Sequence, residues 1–123
     1  MSGSKRAVNR ALMYEHTRSY VRSNLQEGGL SPEGVIESPG LPRSTIYRLF
    51  EHDGGLGAYI RQLRLRAAAD DLVRFPKTAI KDIGYSVGFN SASHFTRAFR
   101  DAYEITPQEL RLNSYRYLHA EQR

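Results

Sequence analysis

Apolar positions recur at three- and four-residue spacings along the chain, and no stretch alternates at period two for long enough to make a strand. Asp53-Gly54-Gly55 has the composition of a hairpin turn, but helical patterns flank it on both sides. The chain therefore reads as all-α, with helix boundaries set by local punctuation. A first helix is predicted over about residues 9–25, stopping before Gly28-Gly29. A second opens at Ser31-Pro32-Glu33, with Ser as N-cap and Pro at the first helical position, and ends before Pro39-Gly40. A third covers about 43–51 and is closed by Gly54-Gly55. A fourth, the longest, covers about 57–74 and is closed by Phe75-Pro76, because a residue before proline avoids helical geometry. A fifth covers about 80–86 and ends at Gly88, and a sixth runs from near Ser91 to Ala102 or Tyr103. The seventh opens at Thr106-Pro107-Gln108-Glu109, a capping box with Pro at the first helical position. Residues 114–123 are weakly patterned and are expected to fray.

Seven residues recur within this pattern. Ser44-Thr45-Ile46-Tyr47-Arg48-Leu49-Phe50 aligns with Ser93-His94-Phe95-Thr96-Arg97-Ala98-Phe99, with Ser, Arg and Phe identical. Each copy follows a short helix and a Gly-plus-apolar turn, Gly40-Leu41 and Gly88-Phe89, so each reads as a helix-turn-helix. At about 100° per residue, Ile46, Leu49 and Phe50 share one stripe, while Ser44, Tyr47, Arg48 and Glu51 fall opposite. In the second copy Phe95, Ala98 and Phe99 share the stripe. Ser93, Thr96, Arg97 and Arg100 then face outward, with His94 at the edge. Each outer face thus offers a mid-helix Arg among short or hydrogen-bonding side chains. That composition suits a major groove, where Arg reaches O6 and N7 of guanine. The bland alternative is a solvated or self-bracing Arg, and the pairing of Arg48 with Arg97 at matched positions favours base contact. The long helix is ~27 Å by its rise per residue. It is expected to pack Ile60 and Leu63 on the first repeat, and Leu65, Ala68, Leu72 and Val73 on the second.

Composition narrows the function. The 123 residues suffice for one domain, or for two small ones sharing an element. Eighteen basic residues against thirteen acidic give a net charge of +5, and fifteen of the eighteen are Arg. That balance points to a polyanionic partner. There is no cysteine, which removes disulfide scaffolds, thiol catalysis and Cys-based metal sites and fits a reducing compartment. No apolar run approaches membrane-spanning length, and no apolar stretch follows the N-terminal charges as a secretory signal requires. His16, His52, His94 and His119 are scattered without metal-ligand spacing. Ser93-His94 is adjacent on one helix and makes no nucleophile–base pair. Gly54-Gly55-Leu56-Gly57 lacks the strand and Lys of a phosphate loop. Asp70-Asp71 reads as a solvated acidic face, or as partners of Arg66 and Arg74. No enzyme, cofactor or metal is expected.

These motifs together resemble the DNA-binding domain of the AraC/XylS family of bacterial transcription regulators over about residues 30–112. The second half carries the more diagnostic stretch: the Ile80-x-x-Ile83 helix, the Gly88-Phe89 turn, Phe95-x-Arg97-x-Phe99 and Thr106-Pro107. The first half matches through Leu41-Pro42-Arg43-Ser44-Thr45-Ile46-Tyr47-Arg48-Leu49-Phe50, Tyr59-Ile60 and Arg64-Leu65. The resemblance implies seven helices in two helix-turn-helix subdomains, homeodomain-like three-helix units joined by a long helix. The subdomains would cover residues 9–55 and 76–113 around a connecting helix at 56–75. Residues 1–8 would be disordered or a cloning remnant, and 114–123 a tail. The resemblance also implies two recognition helices reading adjacent major-groove segments of double-stranded promoter DNA. Ser44, Tyr47 and Arg48 would act in one, and Ser93, His94, Thr96, Arg97 and Arg100 in the other. Members commonly activate transcription by touching RNA polymerase, in the bacterial cytoplasm at the nucleoid. Most carry a separate effector or dimerisation domain, which these residues do not include. A protein–protein docking module with a degenerate first lobe is the competing reading.

The sequence departs from the family pattern at several points. Gly34, Ser38 and Pro39 weaken the second predicted helix, and Pro42 stands where a capping Ser is usual. Gly84 replaces a usual Ala, and Glu104 a usual Gly. The first lobe is therefore expected to grip DNA less firmly than the second.

Overall fold

The computed structural model describes residues 2–25 and 43–121. Among them are six α-helices and one 3-10 turn: α1 (Ser2–Ser23), α2 (Arg43–Leu49), the turn at Glu51–Asp53, α3 (Leu56–Arg74), α4 (Ile80–Ser86), α5 (Ala92–Tyr103) and α6 (Pro107–Glu121). The all-α, helix-turn-helix architecture agrees with the sequence reading, but the described residues hold six α-helices and a 3-10 turn in place of the expected seven helices. The helix expected to open at Ser31, the weak positions Gly34, Ser38 and Pro39, and Pro42 lie outside the described residues.

Three boundaries also differ. α1 begins at Ser2 rather than near Asn9, so residues expected to be disordered or a remnant form its opening turns. Residues 4–12 of this helix are exposed, Val8 and Leu12 included, and residues 2–6 hold no apolar position for periodicity to find. Good helix formers (Lys5, Arg6, Ala7, Arg10, Ala11) carry it instead. The third predicted helix stops at Leu49 and tightens into the 3-10 turn. There Gly54, at φ 81°, donates its N–H to the Glu51 carbonyl at 3.1 Å, and Gly55 donates to the Phe50 carbonyl at 2.9 Å. This is the left-handed geometry that glycine adopts without strain. At the other end, α6 continues to Glu121 instead of fraying from Ser114.

The described residues divide into two compact units, 2–25 with 43–61, and 62–121. In the first unit Val21, Ile46, Phe50, Leu56, Tyr59 and Ile60 are buried. The Phe50 ring lies at its centre, 4.9 Å from the rings of both Tyr14 and Tyr59. Buried Thr17 satisfies its hydroxyl on the Met13 carbonyl at 2.9 Å.

In the second unit the core is Leu65, Ala68 and Leu72 of α3, Ile83 and Val87, Phe89, and Phe95, Ala98 and Phe99 of α5. Val73, expected to pack here, is 41% exposed. It follows Leu72 directly, and a step of about 100° turns it off the buried stripe. The predicted capping box of α6 is present: Thr106 N–H donates to Glu109 Oε1 at 3.2 Å, and Glu109 N–H donates to Thr106 Oγ1 at 3.1 Å.

Candidate nucleic-acid interface

α2 is anchored on one side by Ile46, which is fully buried, and by half-buried Leu49. Ser44, Tyr47 and Arg48 stand exposed on the other side, and Tyr47 keeps 47% of its surface. The support behind α2 is polar as well as apolar. Tyr14 donates its hydroxyl proton to Asp53 Oδ2 at 2.7 Å, and Arg18 Nε donates to the Tyr59 hydroxyl at 3.0 Å. Burial pushes the Tyr14 hydroxyl pKa up to about 12, with the hydrogen bond to the Asp53 carboxylate adding to the shift. The Arg18 guanidinium also lies 5.3 Å from the Tyr14 ring centroid.

α5 repeats this plan with a larger anchor. Phe95 and Phe99 are fully buried, Ala98 nearly so, and their rings form a chain with Phe89 and Tyr103. Ser91 caps the helix, its Oγ accepting the His94 N–H at 3.2 Å, and Glu104 ends it at φ 65° with its N–H on the Arg100 carbonyl at 2.8 Å. Ser93, His94, Thr96, Arg97 and Arg100 are all exposed. Three of them have local partners. The Ser93 and Ser91 hydroxyls are 3.1 Å apart, Thr96 Oγ1 donates to the Ala92 carbonyl at 3.0 Å, and the His94 ring stands edge-on to Phe89 at 5.5 Å. Arg97 and Arg100 are unpaired among the described residues, and both line an open groove of about 510 Å³ with Ser93, Thr96 and Thr106.

The structure thus brings Ser44, Tyr47 and Arg48 to one exposed helix face, and Ser93, His94, Thr96, Arg97 and Arg100 to another. It adds a feature that sequence reasoning missed. The opening turns of α1 place Lys5, Arg6 and Arg10 along the groove that also contains Arg48. Their spacing on one helical face was the available signal, hidden because no cap or apolar stripe marks residues 1–8 as helical.

Among the described residues no cluster of His, Asp or Glu is arranged to hold a metal, and no helix is long and apolar enough to cross a membrane. Asp70 and Asp71 form no ion pair among the described residues.

A family model described as a helix-turn-helix domain matches residues 36–113. The transcriptional activator RhrA of Rhizobium meliloti is 34% identical over 93 residues, 74% of this chain and 30% of that protein. The probable transcription factor PqrA of Proteus vulgaris is 31% identical over 97 residues, 76% of this chain and 79% of that protein. The chain spans about 30% of the length of RhrA and of a RhaS activator from Mannheimia succiniciproducens. A solved AraC-type transcriptional regulator from Chromobacterium violaceum superimposes with TM-score 0.71 at 28% identity, covering 93% of this chain and 96% of that one. The C-terminal domain of AraT from Geobacillus stearothermophilus shares the fold, with TM-score 0.75 at 20% identity over 81% of this chain and 84% of that one. This chain belongs to the AraC/XylS-type helix-turn-helix DNA-binding domains of transcription regulators, not to the enzymes.

Proposed function

We propose that this chain recognises specific sequences in double-stranded promoter DNA by laying α2 and α5 each into a major-groove segment. Arg48 and Arg97 act as the principal base readers, through paired hydrogen bonds to guanine. Ser44 and Tyr47 flank the first, and Ser93, His94, Thr96 and Arg100 flank the second, contacting base edges or phosphates. The observation that carries this reading is the repeated construction of the two helices. Each has an Arg at the matched position, exposed opposite a buried stripe that a Phe completes, Phe50 or Phe99. A helix held rigidly from behind keeps its outer side chains in register with the groove.

Selection of bound duplexes from a random library tests it. The reading expects two separated blocks of preferred bases, one for each helix. A single block, or recovery of unselected sequence, would count against it.

A further inference from the structure

The first unit carries a second basic surface, beside the reading face of α2. Lys5, Arg6, Asn9, Arg10 and Met13 of α1 line one side of a groove of about 540 Å³, and Thr45, Arg48 and Leu49 of α2 line the other. Four cations therefore share one depression. Among the described residues none of them meets a carboxylate. Glu15, the only acid on α1, is already engaged by Arg18 at 3.2 Å and Arg22 at 2.8 Å, and the Arg22 hydrogen bond holds its carboxyl below the usual range.

The arrangement works against the stability of the isolated helix. The first turn of α1 has no acidic residue, and Lys5 and Arg6 sit near its positive dipole end. Like charges across the groove, from Arg6 and Arg10 to Arg48, add repulsion. A polyanion laid along the groove removes both penalties at once. The spacing also fits a repeating anion: Lys5/Arg6 and Asn9/Arg10 are successive turns of one helix, ~5.4 Å apart, close to the separation of neighbouring phosphates on a strand.

We propose that this α1 face is a phosphate clamp. It grips the DNA backbone flanking the segment that α2 reads, and Arg48 stands at the boundary between backbone and base contacts. The proposal rests on the reading of α2 given above. It adds sequence-independent affinity and orientation, which is what phosphate contacts supply, and no base preference.

The test compares the parent chain with Lys5→Gln/Arg6→Gln/Arg10→Gln, titrated with a selected duplex and with a scrambled one over a range of salt. Gln retains helix propensity, and far-UV circular dichroism with a thermal melt checks that the fold persists. The clamp predicts affinity about tenfold weaker or more at moderate salt, equally for both duplexes, and a log–log salt slope shallower by about 2–3, roughly 0.9 for each phosphate no longer neutralised. An unchanged salt slope and affinity would overturn the clamp while leaving the reading helices in place. A changed preference between the duplexes at constant slope would also overturn it, making the groove a base reader. A parent chain that prefers no duplex would instead remove the underlying reading, and the clamp with it.

Discussion

Phe95 closes over Gly84 so tightly that a β-carbon on the glycine would stand 2.6 Å from Phe95 Cδ2, 2.7 Å from Cγ and 3.0 Å from Cβ. The helix α4 thereby approaches α5 more closely than any larger residue permits. Phe95 is itself fully buried against Phe89 and Phe99, so its ring has nowhere to retreat. The family-typical Ala at this position is therefore incompatible with this packing, although Ala is the better helix former by up to about 1 kcal/mol.

Gly84→Ala is expected to destabilise the second unit by about 1–2 kcal/mol, because overpacking outweighs the propensity gain. Urea denaturation measures it. Combining Gly84→Ala with Phe95→Leu should cost less than the two single changes summed, since the smaller side chain vacates the disputed space.

Arg111 closes the end of α3. Its guanidinium donates to the carbonyls of Leu72 at 3.1 Å, Phe75 at 3.1 Å and Thr78 at 2.7 Å. Arg111→Ala leaves these carbonyls without their shared donor and is expected to cost about 2–3 kcal/mol. Arg111→Lys should recover less than half, because an ammonium on a single stem cannot span three acceptors. Thermal melts of the three proteins decide the order.

Glu104 occupies a left-handed position, φ 65°, at the end of α5. Glu104→Gly should raise stability by about 0.5–1 kcal/mol, as relief of the backbone strain exceeds the added flexibility of the unfolded chain. A lower melting temperature for the glycine variant would contradict this.

Tyr14 gives the first unit a pH dependence. Its folded pKa is raised to about 12, from 10.0 for a free tyrosine, first by burial and then by the hydrogen bond to Asp53. A raised folded pKa means that this contribution to stability is complete below pH 10 and is lost as pH rises from 10 towards 12. Denaturation midpoints across that window should fall in the parent and fall less steeply in Tyr14→Phe.

The parts of the fold that repeat a local rule were legible in the sequence. The α4 boundaries, the Thr106–Glu109 capping box and the buried stripe of Phe95, Ala98 and Phe99 follow from punctuation and period alone. What was hidden depends on residues far apart in the chain. Tyr14 with Asp53 and Arg18 with Tyr59 are polar pairs between elements far apart in the chain, and no periodicity encodes them. Arg111 carries no signal in the sequence, because a side chain that binds backbone carbonyls leaves no partner there to find. The opening of α1 is hidden for a related reason: residues 2–6 carry no apolar position, Val8 and Leu12 stand exposed instead of buried, and the basic face becomes visible only beside Arg48.

Under the proposed reading, the larger anchor of α5 sets an order between α2 and α5. The α2 helix has seven residues and one fully buried side chain, whereas the twelve residues of α5 rest on three buried ones. The most direct measurement titrates the parent, Arg48→Ala and Arg97→Ala against the selected duplex and a panel of its single-base variants. Each substitution should abolish discrimination within its own block, at a cost of about 1–3 kcal/mol, and Arg97→Ala should weaken specific binding more than Arg48→Ala. Two variants that lose affinity uniformly across the panel, with every preference intact, would contradict the account of paired base-reading helices.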